Sequence, residues 1–225
     1  MQQAGLVQRV QQLVRERLMQ AYRTVQVDPH SFLLQLRAAH GLRVSSYAEL
    51  RTADLRILDS VAESTIRAAR KIAAVEGAGL GFGGVLTLLP DLGILSAISV
   101  RTVQKLGLIY GFEYTTDEEK AELWVAMAAA AGVDISRELF ERKVLQRFAP
   151  RVIERIAAQV GVEIAEKSVA RVIPVLSSAL GATLNYYFVQ GWGRRALHHY
   201  RQKNLDLRAR PATPQLPVAA AAPNP

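Results

Sequence analysis

The chain has 225 residues, half of them hydrophobic, a formal net charge of +8 and no cysteine. This size and composition suit one domain with a sizeable core, and they exclude a disulfide framework, cysteine-ligated zinc and thiol catalysis. The basic excess sits in the two ends, while 72–133 carries more acid than base, so basic flanks are available for an anionic partner.

The opening MQQAGLVQRVQQLVRERL is polar and amphipathic. It lacks the continuous apolar core of a secretory signal, which makes a cytoplasmic location the expectation. Residues 3–27 place Leu6, Val7, Val10, Leu13, Val14, Leu18, Tyr22 and Val25 at mixed spacings of three and four, the mark of a helix with one apolar stripe. Asp28-Pro29 breaks it. A short helix through Phe32, Leu33, Leu34 and Leu36 should end near Gly41, and Ser46 can cap a one-turn piece. A stronger helix is predicted from Leu58 to Glu76, with Val61, Ile66, Ala69 and Ile72 inward and Arg67, Arg70 and Lys71 toward water.

Gly77, Gly79, Gly81, Gly83 and Gly84 then crowd into an apolar stretch that ends in Pro90-Asp91. Glycine weakens helices and permits positive φ, so the expectation is a tight interhelical turn with close backbone packing. Lipid contact is the other reading of the same apolar segment. Gly79–Gly84 formally matches G-x-G-x-x-G, but a dinucleotide site needs a strand before the glycines, and here the preceding segment reads as helix. Asp91 is the expected N-cap of an apolar helix reaching Tyr110, with Gly111 ending it. A partly buried Asp91 carboxylate paired with Arg101 or Lys105 is the functional alternative.

Thr116 and Glu119 have capping-box spacing, and the helix they open should run through Trp124 to Ala131 and stop at Gly132. Asp134 can cap a further helix through Leu139, Phe140 and Val144 that ends before Pro150, followed by one over 151–171. Pro174 starts or kinks the last apolar helix through Leu176, Leu180, Leu184 and Phe188. Gly191 and Gly193 flank Trp192 before a short basic helix through Tyr200 and Arg201. The proline- and alanine-rich stretch 204–225 lacks a periodic apolar face and is expected to be disordered. The fold class is therefore all-α, a single multi-helix bundle-like domain with a glycine-rich interhelical turn.

No catalytic set emerges. The serines lack a nucleophile elbow, and His30, His40, His198 and His199 have no glutamate three residues before them, so the Glu-x-x-His elements of a di-iron bundle are missing. No cofactor or metal is expected. A carboxylate-based hydrolase or metal enzyme centred on Asp91 is the enzymatic alternative, and a soluble oligomerising module is another. Arg194, Arg195, Arg201 and Lys203 form a basic cluster suited to an anionic surface, without any nucleic-acid recognition motif beside it.

Gly77–Gly111, with its glycine-rich start, its Thr87-Leu88-Leu89-Pro90-Asp91-Leu92 centre and its Leu108-Ile109-Tyr110-Gly111 end, resembles the EcsC family. The resemblance continues through Glu118-Glu119, Ile173-Pro174, Gly181-Ala182-Thr183-Leu184-Asn185 and Ala196 to Tyr200-Arg201. It implies an EcsC-like helical domain over 51–203, preceded by a helical extension over 1–50. The family's name comes from a gene beside those for an ABC transporter, which points toward transport or the cell envelope. The resemblance singles out Gly81, Gly84, Pro90, Asp91, Tyr110, Gly111, Gly181 and Asn185. The functional expectation is a non-enzymatic accessory protein, peripheral to an anionic membrane surface or bound to a membrane-protein partner. A hydrophobic ligand is a further expected partner, should a long apolar groove lie beside Gly77–Gly111.

Overall fold

A computed structural model describes the backbone over 2–80, 88–134, 145–169 and 177–209. Side-chain surroundings are described within these spans except at 2–4, Leu6, 77–80, 88–91, 145–149, 163–169, 177–181 and Leu184. The described residues form eight α-helices and no strand: α1 Gln2–Thr24, α2 Pro29–His40, α3 Tyr47–Leu50, α4 Leu55–Leu80, α5 Leu88–Ile109, α6 Asp117–Ala130, α7 Leu145–Val169 and α8 Ser177–Ala209.

Local chemistry sets most boundaries. Asp28 caps α2, accepting from the Ser31 amide at 2.8 Å, with Pro29 at the first helical position. Ser46 caps α3. Thr116 and Glu119 form the reciprocal capping box at the start of α6. Gly41, Gly111 and Gly132 follow α2, α5 and α6 at φ of 63°, 85° and 78°.

The bundle is built around α5, which touches α1, α4, α6 and α8. Val100, Val103, Leu106, Leu108, Ile109 and Tyr110 are fully enclosed, and even the polar Ser99, Thr102 and Gln104 are buried. A helix apolar on nearly all sides belongs in a core or in a bilayer. Leu92–Ile109 is long and apolar enough to span a membrane, with a mean hydropathy of 1.3, yet 61% of it is buried within this fold. The helix α1 lies in the same core, through Val10, Val14 and Leu18, against α5 and α7.

Several expectations need correction. The last helix does not break at Gly191 or Gly193: α8 is continuous to Ala209, past the onset of the proline-rich composition. A Cβ on Gly193 would stand 2.8 Å from Ile66 Cγ1, so this glycine admits the α4–α8 crossing and supplies no hinge. Trp192, between Gly191 and Gly193, is enclosed at 3% exposure and stacked on Phe188 at 5.4 Å. The helix α7 runs through Pro150, forgoing one ladder bond near its start. Helix α4 continues through Gly77, Gly79 and Leu80, so the glycines do not open the turn where expected. Gly81 and Gly84, the 135–144 part of the helix expected between Asp134 and Pro150, Pro174 and the tail from 210 lie outside the described residues.

The two glycine-bearing apolar segments do meet. Leu95 of α5 and Val189 of α8 share a small cluster with Ala69 and Ala73 of α4.

Candidate functional site

Two surfaces gather the residues with functional interest, at opposite ends of the antiparallel α4–α5 pair. At the first, the start of α4, the end of α5 and the last turns of α8 are tied by polar side chains. Asp59 accepts from the Tyr110 hydroxyl at 2.6 Å and from Arg201 Nε at 3.1 Å. Asn204, fully buried, donates from Nδ2 to the carbonyls of Tyr110 at 3.1 Å and Arg51 at 3.3 Å. Arg208 donates to Asn204 Oδ1 at 2.6 Å, and Arg51 Nε to the Gly111 carbonyl at 2.7 Å. Burial, and then donation to Asp59, raises the Tyr110 phenol well above its ordinary range, so it stays a donor.

A cleft of about 510 Å³ opens beside this knot, between the α5–α6 connection and α8. Its lining includes Glu113, Glu118, Glu119 and Glu122 with Phe112, Tyr114 and Tyr200, together with Arg51 and Lys203. Much of that charge is already engaged. Lys203 Nζ pairs with Glu122 at 2.6 Å and sits 4.7 Å from the centre of the Phe112 ring, with Arg51 also over that ring at 5.7 Å. Glu119 closes the capping box. Among the described residues no three histidines or carboxylates converge to hold a metal ion. The arrangement locks helix ends together.

His199, on the neighbouring turn of α8, has its Nε2 buried without a hydrogen-bond partner. Burial, then Lys203 beside it, holds its imidazole below the ordinary value of 6.5, with Glu122 opposing and His198 adding to the depression. The unfolded chain therefore takes up this proton first as pH falls. Its contribution is lost from the unfolded value downward and levels off below the folded one. Urea denaturation across about pH 7.5 to 5 should show a steeper loss of stability in the native chain than in His199→Gln; equal slopes would remove His199 as the sensor.

The basic cluster of α8 is divided by the fold. Arg201 and Lys203 face the knot in ion pairs, Arg195 donates to the Ala130 carbonyl at 2.6 Å, and Arg194 is exposed. Three of the four thus have partners inside the chain. Tyr110 and Gly111 join the knot, whereas Asn185 is buried farther back along α8, where Gly181 also lies. Asp59, Asn204 and Arg51 escaped the sequence reading. Their one available signal was the placement of Arg201, Asn204 and Arg208 at spacings of three and four, a polar face on a helix end.

The second surface lies where α4 and α5 approach the apolar sequence between them. Helix α5 starts at Leu88, which places Asp91 in its first turn and not at the N-cap, a position still favourable for a carboxylate. Arg101 and Lys105 are on the same helix, about 15 Å and 21 Å farther along its axis at 1.5 Å per residue, too far to pair with Asp91. On α4, Ile72 is 54% exposed and Val75 73% exposed, against the expectation that Ile72 points inward. The core stripe runs through Leu58, Ala62, Ile66, Ala69 and Ala73, and Ile72 stands one residue off it. Arg67, Lys71 and Arg101 are exposed on these two helices.

Residues 3–205 match the model of the EcsC protein family. The chain is 24% identical to Protein EcsC of Bacillus subtilis (strain 168) over 200 residues, covering 88% of this chain and 85% of that protein. It is 24% identical to the uncharacterized protein YdbA of the same organism over 115 residues, 51% of this chain and 42% of that one. No solved structure matches.

Proposed function

We propose, given that this chain belongs to the EcsC protein family, that it is a non-enzymatic helical accessory protein which attaches peripherally to a membrane through the apolar end of the α4–α5 pair. The observation that carries this reading is the exposure of Ile72 and Val75, at 54% and 73%, on the last turns of α4 before the uncharged sequence 77–90. A contiguous exposed apolar patch is what another apolar phase covers, and Ile72 and Val75 adjoin the apolar sequence that would extend one. Arg67, Lys71 and Arg101 supply the cations that an anionic lipid surface attracts, each by about 1 kcal/mol near the surface. The contact is shallow, because Glu76 and Asp91 bracket the uncharged stretch at only 14 residues, short of the roughly 20 that a spanning helix needs.

Flotation with phosphatidylcholine vesicles, alone and with phosphatidylglycerol, tests it. The native chain should float with the anionic vesicles and less so at high salt. The double variant Ile72→Asp/Val75→Asp should bind roughly tenfold more weakly or worse, since each buried aliphatic side chain is worth about 1.5–3 kcal/mol. Absence of flotation with either vesicle, or equal flotation of the double variant, would sink the lipid reading and direct attention to a membrane-protein partner.

A further inference from the structure

Between α4 and α5 runs a groove of about 470 Å³, within the range of small-molecule sites. Its walls are apolar along most of their length, through Ala68, Ala69, Ile72, Ile94, Ala97 and Ile98. From Ile94 to Lys105 it follows α5 for about 16 Å at 1.5 Å per residue. One end is different. There the lining is Thr65, Arg101, Thr102 and Lys105.

Of those two cations Arg101 is exposed and Lys105 half-buried. They sit one turn apart on α5, and among the described residues neither takes part in an ion pair. Lys105 Nζ lies 5.5 Å from the centre of the Phe32 ring. Burial first, and Arg101 second, depress its ammonium below the ordinary lysine value, with no carboxylate offsetting them. Glu76, the acid of the lining, belongs to the opposite end, where α4 meets Ile94. Two like charges at the end of an apolar channel are complementary to one kind of small molecule: an acyl chain that ends in an anion. A neutral chain would leave the repulsion in place, and a cationic head would worsen it.

The geometry points to the α4–α5 groove as a binding site for a single-chain anionic amphiphile, its chain along Ala68, Ile72, Ala97 and Ile98 and its head on Arg101 and Lys105. The site needs no bilayer, so it stands or falls separately from membrane attachment.

The test uses the full chain without vesicles and three monomeric probes of one chain length: laurate, dodecanol and dodecyltrimethylammonium, followed by calorimetry. Laurate should bind most tightly and the ammonium compound most weakly. Arg101→Gln/Lys105→Gln should weaken laurate by about tenfold or more, as loss of charge-assisted hydrogen bonds implies, while dodecanol changes little. Ala97→Phe should block laurate and dodecanol together. Should that variant misfold, Ala68→Glu on the exposed wall serves instead, and it should weaken laurate while strengthening the ammonium compound. Equal affinity for the three heads, or unchanged laurate binding in the Arg101/Lys105 double variant, would overturn the head assignment. Full laurate binding in folded Ala97→Phe and in Ala68→Glu would overturn the groove. Flotation that persists while laurate fails to bind would leave attachment standing and remove this site alone.

Discussion

Gly111→Val is expected to destabilise the chain by about 3–5 kcal/mol, the sum of backbone strain and overpacking. Gly111 follows α5 at φ 85°. Its amide donates to the Leu108 carbonyl at 3.0 Å while that of Phe112 donates to Gly107 at 2.8 Å, which is the Schellman closure of a helix end. A β-branched residue resists this conformation, at roughly 1–3 kcal/mol. Space is also lacking. A Cβ there would stand 2.5 Å from the Tyr47 carbonyl oxygen, 2.6 Å from Arg51 Cγ and 3.0 Å from the Arg51 amide nitrogen. Two of these are backbone atoms, and relieving the clash would pull α3 away from the Gly111 carbonyl to which Arg51 donates. Thermal unfolding should fall by about 10 °C for a chain of this length. Gly93→Ala is the control, because its added Cβ meets only Arg17 Cδ at an ordinary 3.8 Å; it should leave stability unchanged or raise it by about 0.4–1 kcal/mol. A Gly111→Val chain within about 1 kcal/mol of the native one would show that this end of α5 yields.

Gln104→Leu should cost about 2–4 kcal/mol although it makes the core more apolar. Gln104 is 2% exposed in the C-terminal half of α5. Its Nε2 donates to the Val25 carbonyl at 3.0 Å, and its Oε1 accepts from the Val27 amide at 3.1 Å. One side-chain amide thus satisfies both an acceptor and a donor of the link between α1 and α2, which Tyr114 also holds by donating to the Val27 carbonyl. Leucine satisfies neither, and each orphaned buried backbone group costs roughly 1–3 kcal/mol. Urea denaturation gives the global loss. Hydrogen exchange at Val27 gives the local one, and the amide should exchange faster in the variant even under conditions that keep the rest folded. Unchanged protection at Val27 would mean that the link is held by other contacts.

These two residues also mark the boundary of what was legible beforehand. Gly111 could be read as a helix stop because glycine after an apolar periodic run has a local meaning. The same holds for Asp28, Ser46 and the Thr116–Glu119 box, whose partners are within three or four residues. Gln104 could not be read at all. Its partners lie 79 and 77 residues away, and nothing local separates a clamping glutamine from a solvated one. The same distance hid Asp59, whose partners Tyr110 and Arg201 lie 51 and 142 residues off. It also hid the ion pairs that Arg201 makes with Asp59 and Lys203 with Glu122.

Glycine shows the division most directly. At Gly193 composition suggests a flexible joint, while the neighbouring helix makes it a contact point, because Ile66 occupies the space of the missing Cβ. Ile72 shows the converse. Periodicity around it is helical either way, and only the packing of α5 and α8 against Ile66, Ala69 and Ala73 leaves it outside.

The sequence by itself determined the all-α class, most helix ends and family membership, since caps, breakers and 3.6-residue periodicity act over a few residues. Packing settled which apolar residues stay exposed, which charges are spent on one another, and where a groove lined by aliphatic side chains meets Arg101 and Lys105, two cations without an ion pair among the described residues. Those properties depend on residues brought together from distant parts of the chain, and burial and Coulomb interaction have no fixed sequence separation.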